Sequence, residues 1–247
     1  MDLDSEERGL IYEREEVRRV TGDTVRPGGF TLTDRALSLC SFSPGDSILD
    51  VGCGTGATVE HLINSYKLNA TGVDPPRLLL DGGRQRNPDL PLSRAPGENL
   101  PFPDGKFDGV FAECSLSVMK DAKQALREFY RVMKSSGRLV VSDVYARNPE
   151  EIADLRRLPL HGCLAGAKTM PELKDMVNSS GFEIILWEDH SKLLAAFAAK
   201  FILADGSLDT FWGKTPCGQD SCIEIRKTIK KVRPGYFLLV AGKAGSR

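Results

Sequence analysis

The residues best suited to chemistry in this 247-residue chain are a glycine turn and an acid. Asp50, Val51, Gly52, Cys53, Gly54, Thr55 and Gly56 stand in succession, between an apolar run at 47–51 and a helical pattern at 57–66. Glycines there permit a tight turn and let a ligand approach the backbone closely. A helix that opens at the turn adds unpaired N–H groups facing the ligand. Asp74 ends the next apolar run, about twenty residues on, where a carboxylate can accept hydrogen bonds from both hydroxyls of a ribose. The spacing is Gly-x-Gly-x-Gly, whereas dinucleotide enzymes use Gly-x-Gly-x-x-Gly. It predicts a ligand with a ribose and no required pyrophosphate.

A second group of residues has reactive side chains. Cys114 follows the apolar run 107–112, and Cys163 follows the run 137–143. Thiolates are soft ligands and select soft centres, but free cysteines are also among the most buried residues. His190 stands with Glu188, Asp189 and Ser191 after another apolar run. It suits a proton acceptor, whereas Asp189 and Ser191 suit helix caps. His161 is placed like His190, and His61 suits surface or packing. Cys217 and Cys222 have the spacing of half a zinc site, but zinc usually takes four ligands and no second pair is near, so no metal is expected.

The elements that position these residues alternate. Strands are predicted at 47–51, 70–74, 92–95, 107–112, 137–143, 182–187 and 236–241. Helices are predicted at 57–66, 122–133, 170–179 and 192–203. In the second of these, Ala122, Ala125, Leu126, Phe129, Val132 and Met133 share a face. Such alternation argues for βαβ units and a parallel sheet. Residues 206–220 read as a loop. The basic run 226–233 reads as an amphipathic helix, because Ile225, Ile229 and Val232 recur at helical spacing. Residues 1–30 form an N-terminal arm that can reach the cofactor through Tyr12 or Arg26, and residues 31–247 form the domain.

Composition narrows the class. Basic and acidic residues number 33 and 34, a net charge of −1, whereas a nucleic-acid binder shows a basic excess. The longest apolar stretch, 193–204, is broken by Lys200 and is shorter than the ~20 residues of a membrane span. The N-terminus lacks a basic, then apolar, leader, which predicts a cytoplasmic protein. Six cysteines scattered over the chain do not read as a disulfide framework there.

Four motifs in order resemble the class I S-adenosylmethionine-dependent methyltransferases, over residues 31–247. Residues 48–56 are similar to their first motif, and Gly72, Val73 and Asp74 to the ribose-binding second. Residues 98–102 with Phe107 and Asp108 are similar to their adenine-side loop and fourth strand, and residues 128–139 to the helix and turn before their fifth. The resemblance implies a Rossmann-like, doubly wound α/β fold whose seven-stranded sheet is mostly parallel, with the last strand antiparallel. It implies S-adenosyl-L-methionine as cofactor and a small-molecule methyl acceptor. Cofactor contacts then fall to Asp50, Gly52, Cys53, Gly54, Gly56, Asp74, Pro75, Gly97, Glu98 and Cys114. Pro96 stands where related enzymes hold the adenine amine with an Asp, so the backbone near Gly97 and Glu98, or the Glu98 carboxylate, takes that role. The surroundings of Cys114 and Cys163 also resemble the arsenite methyltransferases, which implies a thiophilic acceptor with Cys114, Cys163 and His190 at the reacting centre. An organic O, N, C or S nucleophile is the alternative acceptor. A non-catalytic cofactor-binding protein and a nicotinamide oxidoreductase are alternatives of another class.

Overall fold

Apolar runs bounded by turn residues become strands. They are Ser47–Val51 (β1), Asn69–Asp74 (β2), Leu92–Arg94 (β3), Phe107–Glu113 (β4), Met133–Ala146 (β5), Lys168–Thr169 (β6), Phe182–Asp189 (β7) and Pro234–Lys243 (β8). The computed structural model describes residues 15–158, 160–205 and 219–245. All eight strands join one sheet in the order β3-β2-β1-β4-β5-β8-β7, with β6 beside the end of β5. The strands from β3 to β5 run parallel. β8 lies antiparallel between β5 and β7. The doubly wound, mostly parallel sheet with an antiparallel last strand matches the expectation. β6 is the addition, because two residues are too short to leave a pattern.

The helices are Glu15–Thr21 (α1), Thr31–Cys40 (α2), Ala57–Tyr66 (α3), Arg77–Arg86 (α4), Ala122–Val132 (α5), Ile152–Leu155 (α6), Met170–Ser179 (α7), Ser191–Asp205 (α8) and Gln219–Val232 (α9). Local chemistry fixes several starts. The Asp121 carboxylate accepts the Gln124 N–H at 2.9 Å and caps α5. Thr169 and Glu172 form a reciprocal capping box on α7. α4 was not legible, since Gly82 and Gly83 blur its pattern. Gly83 is needed there, because a Cβ would stand 2.3 Å from the Thr55 carbonyl oxygen. The predicted loop at 206–220 lies mostly outside the described residues, as do Tyr12 and Cys217. The basic run falls within α9 except for Arg233 just past its end, and Ile225, Ile229 and Val232 of that helix pack on the core.

Side chains alternate across the sheet and divide the core in two. Ile48 of β1 and Tyr236, Leu238 and Val240 of β8 face one cluster. Leu49, Val51, Phe237, Leu239 and Ala241 face the other, with the apolar stripe of α5. Strands buried on both faces read as unbroken apolar runs, which is why they were visible in the sequence. A third, small cluster joins α1 to α8 through Val17, Phe197 and Phe201. Among the described residues no helix is long and apolar enough to cross a membrane.

Candidate active site

The glycine turn leaves β1 at the point where the strand order reverses, between β1 and β4. Open α/β sheets hold ligands there, beyond the carboxyl ends of the strands. Gly52, Gly54 and Gly56 all take positive φ, at +79°, +55° and +77°. Each does so for a different reason. A Cβ on Gly52 would stand 2.3 Å from the Ser115 Cβ. A Cβ on Gly56 would press on Leu92 at 2.8 Å. Gly54 faces open space, with nothing within 4 Å of a Cβ. Its N–H donates to the Asp74 carboxylate at 2.7 Å, so the acid at the end of β2 also shapes the turn.

A cavity of about 780 Å³ opens above the turn. Its walls come from residues 23–26, 51–55, 74–76, 96–98, 113–115 and 118–121, among others. Of the expected site residues, Gly52, Cys53, Gly54, Asp74, Pro75, Gly97, Glu98 and Cys114 line it. Gly97 sits under Met119, which leaves only 2.9 Å for a Cβ. The Glu98 carboxylate accepts the Asp121 N–H at 3.1 Å.

The other expected residues lie outside the wall. Gly56 starts α3 and packs on Leu92, so its smallness serves packing. Asp50 is buried beneath the turn, 3% exposed. Burial pushes its carboxyl up to about 8, aided by the Glu113 and Asp74 charges and opposed by Arg26. Cys163 is buried in the apolar core, 4% exposed. His190 is drawn to Glu188, 2.9 Å from its Oε2. Glu188 in turn accepts from Arg35 at 2.7 Å, and this surface group stands apart from the cavity wall.

The state of Cys114 bears on the acceptor. Cys114 takes a left-handed φ of +54°. Its thiol lies 3.2 Å from the Tyr236 hydroxyl, which donates to Ser142 Oγ at 3.2 Å. Burial pushes the thiol well above its ordinary range, and the neighbouring Asp143 and Cys163 add to the shift. A neutral, hydrogen-bonded thiol is a poor ligand for a soft centre. Among the described residues no cluster of three or more His, Cys, Asp or Glu side chains suits a metal ion.

The structure also gathers a group that spacing did not reveal. Arg26 and Glu113 form an ion pair at 3.1 Å, with side chains 9% and 1% exposed. Arg26 also donates to Thr58 Oγ1 at 2.7 Å, Thr33 Oγ1 at 2.9 Å and the Gly29 carbonyl at 2.8 Å. The two threonine hydroxyls donate onward to Glu113. The sequence offered Arg26 as a residue able to reach the cofactor, but showed Glu113 only as a charged residue at a strand end and gave no sign that the two pair.

The Asp50 shift makes a test of this buried charge. A carboxyl raised from 3.8 to about 8 favours its neutral form in the fold. Its contribution to stability is therefore full below about pH 4 and is lost as pH rises toward 8. By linkage, one such group lowers stability by roughly 1 kcal/mol per pH unit across that window. We expect Asp50→Asn to flatten the decline, read as urea midpoints of both proteins between pH 5 and 8. Parallel declines would show that Asp50 is already ionised.

Comparison with known proteins agrees with this geometry. A methyltransferase-domain family model matches residues 49–141. Residues 49–141 thus match the pattern of a methyltransferase domain. The matched stretch runs from within β1 into β5, and so includes the glycine turn, Asp74, the 96–98 segment and Glu113. The chain is 29% identical over 159 residues to O-methyltransferase resE of Aspergillus sclerotiorum, covering 60% of this chain and 59% of that protein. Matched stretches cover 59%, 61% and 64% of three curated O-methyltransferases, so the chain spans about six tenths of their length. The fold is shared with the [4+2]-cyclase SpnF, at a TM-score of 0.71 and 24% identity over 97% of this chain and 96% of that one. It is shared as well with phosphoethanolamine N-methyltransferase 2 of Haemonchus contortus in complex with S-adenosyl-L-methionine. That match has a TM-score of 0.69 and 18% identity over 94% of this chain and 56% of that one.

Proposed function

We propose that this chain transfers the methyl group of S-adenosylmethionine to an oxygen of a small organic acceptor. The observation that carries the proposal is the pairing of Asp74 with the Gly54 face of the turn, where the wall is open. Asp74 accepts the ribose hydroxyls. The backbone at Gly52 and Gly54 receives the amino-acid end, and the 96–98 segment under Met119 receives adenine. When bound, the cofactor supplies a methyl group already activated on a sulfonium. The buried carboxylate of Asp74 brings negative charge to this end of the cavity, which suits a cationic donor.

The chemistry asks little of the protein beyond alignment. A C–O bond forms as the C–S bond breaks, and the hydroxyl proton leaves to solvent or a nearby carboxylate. Alignment alone is worth about 7–11 kcal/mol. The chain's three histidines, His61, His161 and His190, all lie outside the cavity wall, which fits a reaction that leans on positioning.

An oxygen acceptor is supported by the names of the relatives, which include several O-methyltransferases. The thiophilic reading loses its support. Cys163 is outside the cavity, Cys114 is a neutral thiol bound to Tyr236, and the matched relatives described above are not arsenite enzymes. We expect wild-type protein with S-adenosylmethionine and arsenite to yield no methylated arsenic by mass spectrometry. A methylated product would restore the thiols to the reaction.

Isothermal titration with S-adenosylmethionine tests the cofactor, and transfer of a labelled methyl group to a panel of phenols and aliphatic alcohols tests the reaction. We expect binding and labelled product. Absence of binding sinks the proposal. Binding without transfer to any acceptor favours a second reading, a cofactor-binding protein that does other chemistry. The cyclase that shares this fold is the observation that keeps that reading in view. A nicotinamide enzyme is disfavoured by the glycine spacing, and titration with NADH is its direct check.

A further inference from the structure

Residues 23–26 wall the cavity, and glycines bracket them. Gly22 has φ +72° on one side, and Gly28 and Gly29 have φ +80° and +57° on the other. Left-handed backbone at both joints lets a short segment turn sharply without straining a larger residue. The segment's apolar seat is small. Val25 and Val20 pack against Val17, Phe197 and Phe201, apart from the two main cores. Asp23 adds an exposed pair with Arg86 at 3.4 Å, and exposed pairs hold weakly.

Arg26 is the strong tie. Its guanidinium reaches through the wall to Glu113 at the end of β4, Thr58 in the first turn of α3 and Thr33 on α2. Its Nε bonds the Gly29 carbonyl and braces the arm's own joint. Once made, a buried pair of this kind is costly to break, because removal of one partner strands the other charge. The seated tie therefore resists withdrawal.

We propose that residues 23–26 are the gate of the cofactor cavity, that the gate swings on Gly22 and on Gly28–Gly29, and that the Arg26–Glu113 pair is its latch. This rests on the cofactor assignment above. Arg26 is a positioning residue. Seated, it closes the wall over the donor, keeps water out, and holds Glu113 and the start of α3 in place. Withdrawn, it frees the path by which S-adenosylmethionine enters and S-adenosylhomocysteine leaves. The latch thus sets the residence time of the cofactor.

The test uses the full chain loaded with labelled S-adenosylhomocysteine and chased with unlabelled compound. We expect Arg26→Ala and Glu113→Gln to release it roughly tenfold faster than wild type, with Arg26→Lys in between. Release from both at the wild-type rate overturns the latch. Hydrogen exchange on the ligand-free chain separates a gate from a general scaffold. The amides of residues 22–29 exchange faster in Arg26→Ala than in wild type, while those of β1 and β4 do not change. Unchanged exchange at 22–29 overturns the proposal, and so does a rise shared by β1 and β4. If wild type binds no S-adenosylhomocysteine, the cofactor assignment fails, and exchange at 22–29 alone decides the latch.

Discussion

Asp74→Ala should weaken S-adenosylmethionine binding by at least two orders of magnitude. The carboxylate stands at the end of β2 in the cavity wall and accepts the Gly54 N–H at 2.7 Å. Its loss removes the acceptor for the ribose hydroxyls and unties the turn that shapes the amino-acid end. Each hydrogen bond to a charged group is worth about 1.5–3 kcal/mol, and each 1.4 kcal/mol is about tenfold in affinity. Asp74→Asn keeps one oxygen and should fall between. Titration calorimetry reads the loss, and a thermal melt shows whether the variant is folded. A folded Asp74→Ala protein with wild-type affinity would mean that the ribose is held elsewhere and that the glycine turn has been misassigned.

Gly52→Ala should damage both the fold and the site. A Cβ would lie 2.3 Å from the Ser115 Cβ, and Ser115 is fixed by its own donation to the Val51 carbonyl at 2.6 Å. The loop after β4 therefore has no easy retreat. The φ of +79° adds a second cost. A left-handed residue with a side chain costs about 1–2 kcal/mol, and overpacking typically adds 1–3 kcal/mol. Together they predict a fall in melting temperature of roughly 10 °C for a domain of this size. Ser115→Gly in the same chain should recover part of that loss by removing the atom in the way, and the backbone cost should remain. A single Gly52→Ala protein that melts within a degree or two of wild type would refute the close approach of β1's turn to the β4 loop.

These two effects concern the part of the protein that is contiguous in sequence. The glycine turn, the strand before it and the acid after the next strand are local events in a βαβ unit. Backbone sterics set the first, and the length of one helix plus one strand sets the distance to the second. Their residue types and spacing were sufficient to name the ribose-bearing ligand. The alternating apolar runs were sufficient for a doubly wound sheet, since strands buried on both faces cannot be anything but apolar. Where local pattern was blurred, at Gly82 and Gly83 of α4, the sequence was silent, although Gly83 is there to make room for the turn.

The buried charge group beside the cavity was not legible, because it is built from tertiary contacts. Arg26, Thr33, Thr58 and Glu113 come from four segments of chain, and no spacing rule links them. Cys114 and Cys163 read as a thiolate pair only so long as both were imagined facing a cavity. Burial pushes the Cys114 thiol toward its neutral form, 3.2 Å from the Tyr236 hydroxyl, and the core claims Cys163. His190 has the right residue type at a strand end, yet the register of β7 hands it to Glu188. The sequence by itself determined the glycine-turn side of the cavity wall, which a few consecutive residues shape. The fold alone decided which charges are buried, which thiols are protonated and which part of the arm closes the wall, because burial and charge pairing depend on neighbours distant along the chain.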